Sequence, residues 1–211
     1  MTVALDTGGL TAARPFIEAA KPAHPSLIDQ AHLLDELFGF VNVPNGVWID
    51  EEGQIIRPPE LATHPHSSNL NPTDAANASA AYTALILKGK DNAEKYVGAL
   101  RDWVANGPAS RYALAPEEVL RRSRPRPLEE ATAAAHFELG QYLHRNGQQE
   151  AAIPHFREAH RLHFDNWTYK RQAWSFIDPS QGPNEVYEGD FRSDLKKVGG
   201  FEKYYPPVDL G

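Results

Sequence analysis

A chain of 211 residues, 41% hydrophobic and 23% charged, has material for a substantial core and the composition of an ordinary globular protein. It holds no cysteine, which excludes disulfides, thiolate catalysis and sulfur-ligated zinc. The net charge of −7 argues against non-specific binding to nucleic acid or anionic membranes.

Residues 2–6 are short, apolar and β-compatible, and Gly8-Gly9 follows as a turn. Thr11 is placed to cap a helix over 12–20, with Pro15 in its first turn, where a missing N–H costs little. Pro22 and Pro25 end that helix, and Ser26–Asp29 reads as a second strand. Leu33, Leu34, Leu37 and Phe38 have helical spacing within a helix over 30–38. Strands at 46–50 and 54–57, joined through Glu52-Gly53, predict an antiparallel hairpin. From Pro58 to Pro72 the chain is rich in Pro, His, Ser and Asn and reads as a long loop.

Beyond that loop the patterning is helical. Helices are predicted over 74–87 and 91–106, the second stopped by Asn106-Gly107-Pro108, with a short one over 116–122. Pro127 opens a helix with Glu129 and Glu130 in its first turn, and Asn146-Gly147 closes it. The next helix carries Ala152, Phe156 and Ala159, with Pro154 interrupting it, and a further helix lies near 166–176. From Asp178 onward the sequence reads as irregular, ending in Tyr204-Tyr-Pro-Pro-Val208 across the surface.

Two patterns resemble known families. Phe38, Gly39, Val43, Pro44, Ile49, Asp50, Gly53 and Ile55 fill the motif Tyr/Phe-Gly-x-x-x-Val-Pro-x-x-x-x-Ile-Asp-x-x-Gly-x-Ile. Residues 2–57 thereby resemble the second half of a thioredoxin-like domain of the TlpA/redoxin thiol–disulfide oxidoreductase family. The resemblance implies a cis Val43–Pro44 bond and a substrate-docking edge at Val43, Pro44 and Asn45. It also implies a Cys-x-x-Cys at a helix start, which no position of this chain supplies, and a strand between residues 2–6 and 46–50 that is missing here. The second pattern is Leu139-Gly140 followed by Ala152, Phe156 and Ala159, the spacing of a tetratricopeptide repeat in degenerate form.

Other constellations are weaker. Arg121-Arg-Ser-Arg-Pro-Arg126 reads as a solvated linker, with a phosphate or acidic-peptide site as the rival reading. His160 and His163 have a metal-pair spacing on a helix, but no third ligand is evident, and no metal or cofactor is assigned. His64, His66, Ser67 and Ser68 lack a nucleophile elbow and do not make a hydrolase. Trp167, Tyr169, Trp174 and Phe176, interleaved with Lys170 and Arg171, read as the packed face of the last helix and not as a base-stacking surface.

The sequence thus predicts an α/β fold: an incomplete thioredoxin-like sheet followed by an all-α, tetratricopeptide-like region. Residues 1–60 form the partial thioredoxin-like domain and 61–73 the loop. Residues 74–177 form the helical region with its hairpin at 127–163, and 178–211 the tail. With no catalytic residue and no signal peptide at Met1–Asp6, the chain reads as a cytoplasmic, non-catalytic relative of the redox family. It acts by binding a protein or peptide, with no nucleic acid or membrane partner, and an unpaired strand edge favours a homodimer. Two alternatives stand: the C-terminal part of an active thiol–disulfide oxidoreductase whose Cys-x-x-Cys lies upstream of Met1, and a helical scaffold with no redox ancestry.

Overall fold

The computed structural model describes residues 1–62, 80–123, 125–178 and 181–210, and for residues 80–88 the backbone alone. Its elements in chain order are β1 (Thr2–Leu5), α1 (Gly9–Ala20), β2 (Ser26–Asp29), α2 (Leu33–Phe38), β3 (Asn45–Ile49) and β4 (Ile55–Leu61). Helices follow: α3 (Ala80–Asn106), α4 (Pro116–Arg122), α5 (Leu128–Arg145), α6 (Gln149–Leu162), α7 (Trp167–Ile177), α8 (Phe191–Lys197) and α9 (Phe201–Tyr204). Mixed α/β structure followed by helices is the predicted layout. The strands form two separate two-stranded sheets, β1 with β2 and β3 with β4.

The chain folds into two compact units, each assembled from segments distant in sequence: 1–42 with 125–198, and 43–124 with 199–211. In the first unit, β1 and β2 pair in parallel from Thr2 with Ser26 to Leu5 with Asp29, and α1 makes the crossover. Helix α1 begins at Gly9, before the predicted Thr11 cap, because the Asp6 turn starts it: the Asp6 side chain accepts the Gly8 N–H and its carbonyl accepts the Gly9 N–H. Pro15 therefore lies inside the helix. Both Pro15 and Thr11, whose carbonyl would have accepted the missing N–H, face solvent, so water replaces that bond. The Thr7 hydroxyl donates to the buried Gln141 side chain on α5, 3.3 Å away, and fastens the β1–α1 turn to the helices.

Helices α5 and α6 form the hairpin that the small residues predicted. Ala152, Phe156 and Ala159 are each no more than 1% exposed. A Cβ on Gly140 would sit 2.8 Å from the Phe156 ring, so the interhelical approach requires glycine there. Gly140→Ala is expected to cost about 1–3 kcal/mol by overpacking, read as a lowered urea midpoint, while Gly98→Ala, whose added Cβ meets nothing within 4 Å, serves as control. Pro154 does not interrupt α6, contrary to the sequence reading. It is exposed, as is Glu150, whose carbonyl loses its partner to proline and faces water instead.

Phe137 centres this core, stacked on Tyr169 at 4.2 Å and set against Phe156 at 5.8 Å and the His32 edge at 5.4 Å. Helix α7 is capped by Asn166, whose side chain accepts the Tyr169 N–H, and its first N–H donates to the Val41 carbonyl at 2.6 Å. The stretch after Asp178 is not uniformly irregular. Asp190 and Ser193 form a reciprocal capping box that starts α8. Lys170 on α7 then pairs with Asp194 on α8 at 2.8 Å, both essentially buried.

In the second unit, β3 and β4 make the predicted antiparallel hairpin, with Asn45 opposite Leu61 and Trp48 opposite Arg57. Strand β4 runs on to Leu61, through the Pro58-Pro59 pair that was read as the start of a loop. The remainder of that loop, with His64, His66, Ser67 and Ser68, lies outside the described residues. Of the two helices expected over 74–87 and 91–106, residues 74–79 lie outside the described residues, and from Ala80 to Asn106 the chain is one continuous helix. Gly89 lies within it with open space at its Cβ position, so it costs only its intrinsic propensity, roughly 1 kcal/mol. Trp48, Tyr96 and Ala99 form the buried centre of this unit.

Candidate edge site at the Val43–Pro44 step

The hairpin presents Val43, Pro44 and Asn45 together at the entry to β3. The Val43–Pro44 peptide is cis, the isomer that the sequence resemblance implies. Val43 and Pro44 are exposed and Asn45 is half-buried. The Pro44 carbonyl accepts the Ala62 N–H at 3.2 Å, extending the β3–β4 ladder by one rung beyond Asn45. The Asn45 side-chain oxygen is buried without a hydrogen-bond partner, a cost the fold carries at this position alone on the strand.

What sets this strand is beneath it. A Cβ on Gly46 would lie 2.5 Å from the Tyr96 hydroxyl and 2.9 Å from Ala62, so glycine lets β3 settle on α3. The Trp48 indole N–H donates to the Tyr96 hydroxyl at 2.9 Å, and Trp103 stacks on Trp48 at 5.1 Å. Burial pushes the Tyr96 hydroxyl above its ordinary range. Behind Trp48, the Arg57 guanidinium is fully buried, 5.4 Å from the Trp48 ring centre and bonded to both Glu60 oxygens at 2.8 and 3.0 Å. The sheet and α3 therefore hold β3 rigidly on one face. Within the sheet β3 pairs with β4 alone among the described residues.

The sequence motif singles out Val43, Pro44 and Asn45 as candidates, whereas nothing in it points to Tyr96 or Arg57, which lie against Trp48. Tyr96 sits on the predicted helix with no local signal of its role. Arg57 was a strand terminus in the sequence reading, where a charged residue ordinarily faces solvent.

Among the described residues the remaining candidates resolve as packing. Of the Arg121–Arg126 stretch, Arg124 lies outside the described residues. Arg121 and Arg122 both bond Glu118, and Arg126 bonds the Glu36 carbonyl. Arg121 and Arg122 hold the Glu118 carboxyl down to about 2. Trp167, Tyr169 and Trp174 are buried, and Phe176 stacks on His144 at 3.8 Å. Among the described residues no three His, Cys, Asp or Glu side chains converge as a metal site. No helix described is long and apolar enough to cross a membrane.

His160 is buried against Tyr187 and Trp174. Burial first, then the Lys170 charge, holds its imidazole down to about 4, with Asp194 opposing. The unfolded chain takes up a proton at this residue that the folded chain refuses. The stability contributed by neutral His160 is thus complete above its ordinary value of 6.5 and lost as pH falls toward 4. The expected loss is on the order of 3 kcal/mol. Urea denaturation at pH 7 and pH 4.5 should show a larger drop for the parent chain than for His160→Gln.

Comparison with protein-family models, with curated proteins and with solved structures gives no match for this chain.

Proposed function

We propose that this chain is a thioredoxin-like, TlpA-related protein that binds a protein or peptide partner without exchanging disulfides, the partner adding an extended strand at the β3 edge beginning at Val43, Pro44 and Asn45. The observation that carries the reading is a short strand backed by α3, hydrogen-bonded within its sheet on one side alone among the described residues, with Ile49 exposed at its end and Val43 exposed two residues before its start. Backbone groups along such an edge recruit another strand, and alternate side chains give selectivity. The parallel β1–β2 pair with its helical crossover agrees with the redox-family ancestry. The tetratricopeptide-like hairpin of α5 and α6 belongs to the same reading as a second protein-binding element, and self-association through a strand edge would give a homodimer. The lack of any thiol removes the chemistry while leaving the docking edge.

The test has two arms. The purified chain is expected to show no turnover in insulin reduction, and measurable turnover would overturn the reading. Extended peptides selected on the immobilised chain are expected to lose at least about tenfold in affinity on Val43→Lys, which places a charge at the docking edge. Binding indifferent to that substitution would also overturn it.

A further inference from the structure

In the second unit, residues 206–210 follow α9 with no regular secondary structure, and Val208 and Leu210 lie against residues of β3, β4 and α3, with Arg122 of α4 beside Asp209. The segment alternates. Val208 and Leu210 are half-buried and pack against the Trp48–Tyr96–Ala99 centre, whereas Pro207 and Asp209 face solvent. This is the period of an extended peptide laying alternate side chains into apolar wells. Between the two anchors, two arginines among the described residues bond Asp209. The buried Arg57 donates to its backbone carbonyl at 2.6 Å. Arg122 donates to the same carbonyl at 3.3 Å and to the Asp209 carboxylate at 3.1 Å.

Arg57 has partners besides the tail. Its other donors bind Glu60 and the Tyr112 carbonyl at 2.9 Å, and it lies 5.4 Å from the Trp48 ring centre, so contacts outside the tail also hold the guanidinium. Arg122 is likewise steadied by Glu118 at 2.6 Å. A charged fork flanked by two apolar wells is the design of a peptide-recognition groove. Here the occupant is the chain itself.

We propose that this groove recognises an extended apolar–Asp–apolar segment, that Val208–Leu210 fills it in cis, and that a partner protein presenting the same pattern displaces the tail. The tail is then a competitor whose tether gives it an effective concentration on the order of millimolar. A partner must outbid it, so weakening the tail is the way to expose the site. Trp48, Tyr96 and Arg57 support both this surface and the β3 edge, whereas Arg122 serves this surface alone and Val43 the edge alone, so Arg122→Gln and Val43→Lys separate the failure of one from the failure of the other.

The probe is a fluorescent Pro-Pro-Val-Asp-Leu-Gly peptide titrated against the full chain and followed by anisotropy. Asp209→Ala removes an exposed ion pair from the tail and is expected to tighten probe binding about two- to five-fold. Val208→Asp removes an anchor and is expected to tighten it at least about tenfold. Arg122→Gln in the Val208→Asp background is expected to weaken the probe again, and a Val-Ala-Leu probe should bind more weakly than the Val-Asp-Leu one. Circular dichroism matching the parent establishes that each variant is folded. Equal probe affinity in parent, Asp209→Ala and Val208→Asp, or binding indifferent to both Arg122 and the probe aspartate, would overturn the proposal. Should Val208→Asp fail to fold, the Asp209→Ala comparison alone decides between the two results.

Discussion

Asp194→Asn is expected to destabilise the first unit by about 3–5 kcal/mol, among the largest effects of any single substitution in this chain. Lys170 is 1% exposed. It donates to Asp194 at 2.8 Å, and its ammonium lies 3.2 Å from the centre of the Phe164 ring. Burial pulls the Lys170 ammonium below its ordinary range, and Asp194 is what opposes that. With the carboxylate gone, the ammonium must either stay charged beside an aromatic ring or give up its proton. Both states are costly. The reverse change, Lys170→Met, is expected to cost less, because Asp194 keeps the half-exposed Lys197 at 2.9 Å. Urea denaturation of the two variants checks the order. Gly189 belongs to the same arrangement. Its φ is +85°, and a Cβ there would meet the Asp194 carboxylate at 2.5 Å, so only glycine lets the chain turn over this ion pair.

The second large effect is Phe156→Ala, expected at about 3–5 kcal/mol, against less than about 1.5 kcal/mol for Phe156→Leu. The ring is 1% exposed and reaches Phe137, Phe176 and Tyr187 at centroid distances of 5.8, 5.7 and 6.3 Å. It also fills the space above Gly140. Neither helix shifts easily into the void, because Gly140 already allows their near-closest approach. Thermal or urea unfolding of both variants separates volume lost from contact rearranged.

These two residues mark what was legible in the sequence. Phe156 announced itself through periodicity, since a helical hairpin writes its core at local spacings. The strands at 2–5 and 26–29 and the hairpin as far as Arg57 were legible for the same reason, through short apolar runs and turn residues. Asp194 was not. Its meaning depends on Lys170, 24 positions earlier and on another helix, and no local pattern records that partnership. The capping box at Asp190 carries serine where glutamate or glutamine is the usual sign, so α8 passed for irregular chain. The extension of β4 through Pro58 and Pro59 was hidden because proline argues against a strand. At the candidate site the turn chemistry of Val43–Pro44 was readable. The supports at Tyr96 and Arg57 were not, being supplied by residues 48 and 9 positions away from the strand residue Trp48 that they contact.

Strand addition at β3 is the event on which the proposed binding rests. Its most direct measurement is amide hydrogen exchange of the full chain with and without a saturating peptide whose binding requires Val43. Slowed exchange is expected along 45–49, at amides that do not bond β4, with the α5–α6 hairpin unchanged. Protection confined to the helices, with 45–49 exchanging as fast as in the free chain, would contradict it.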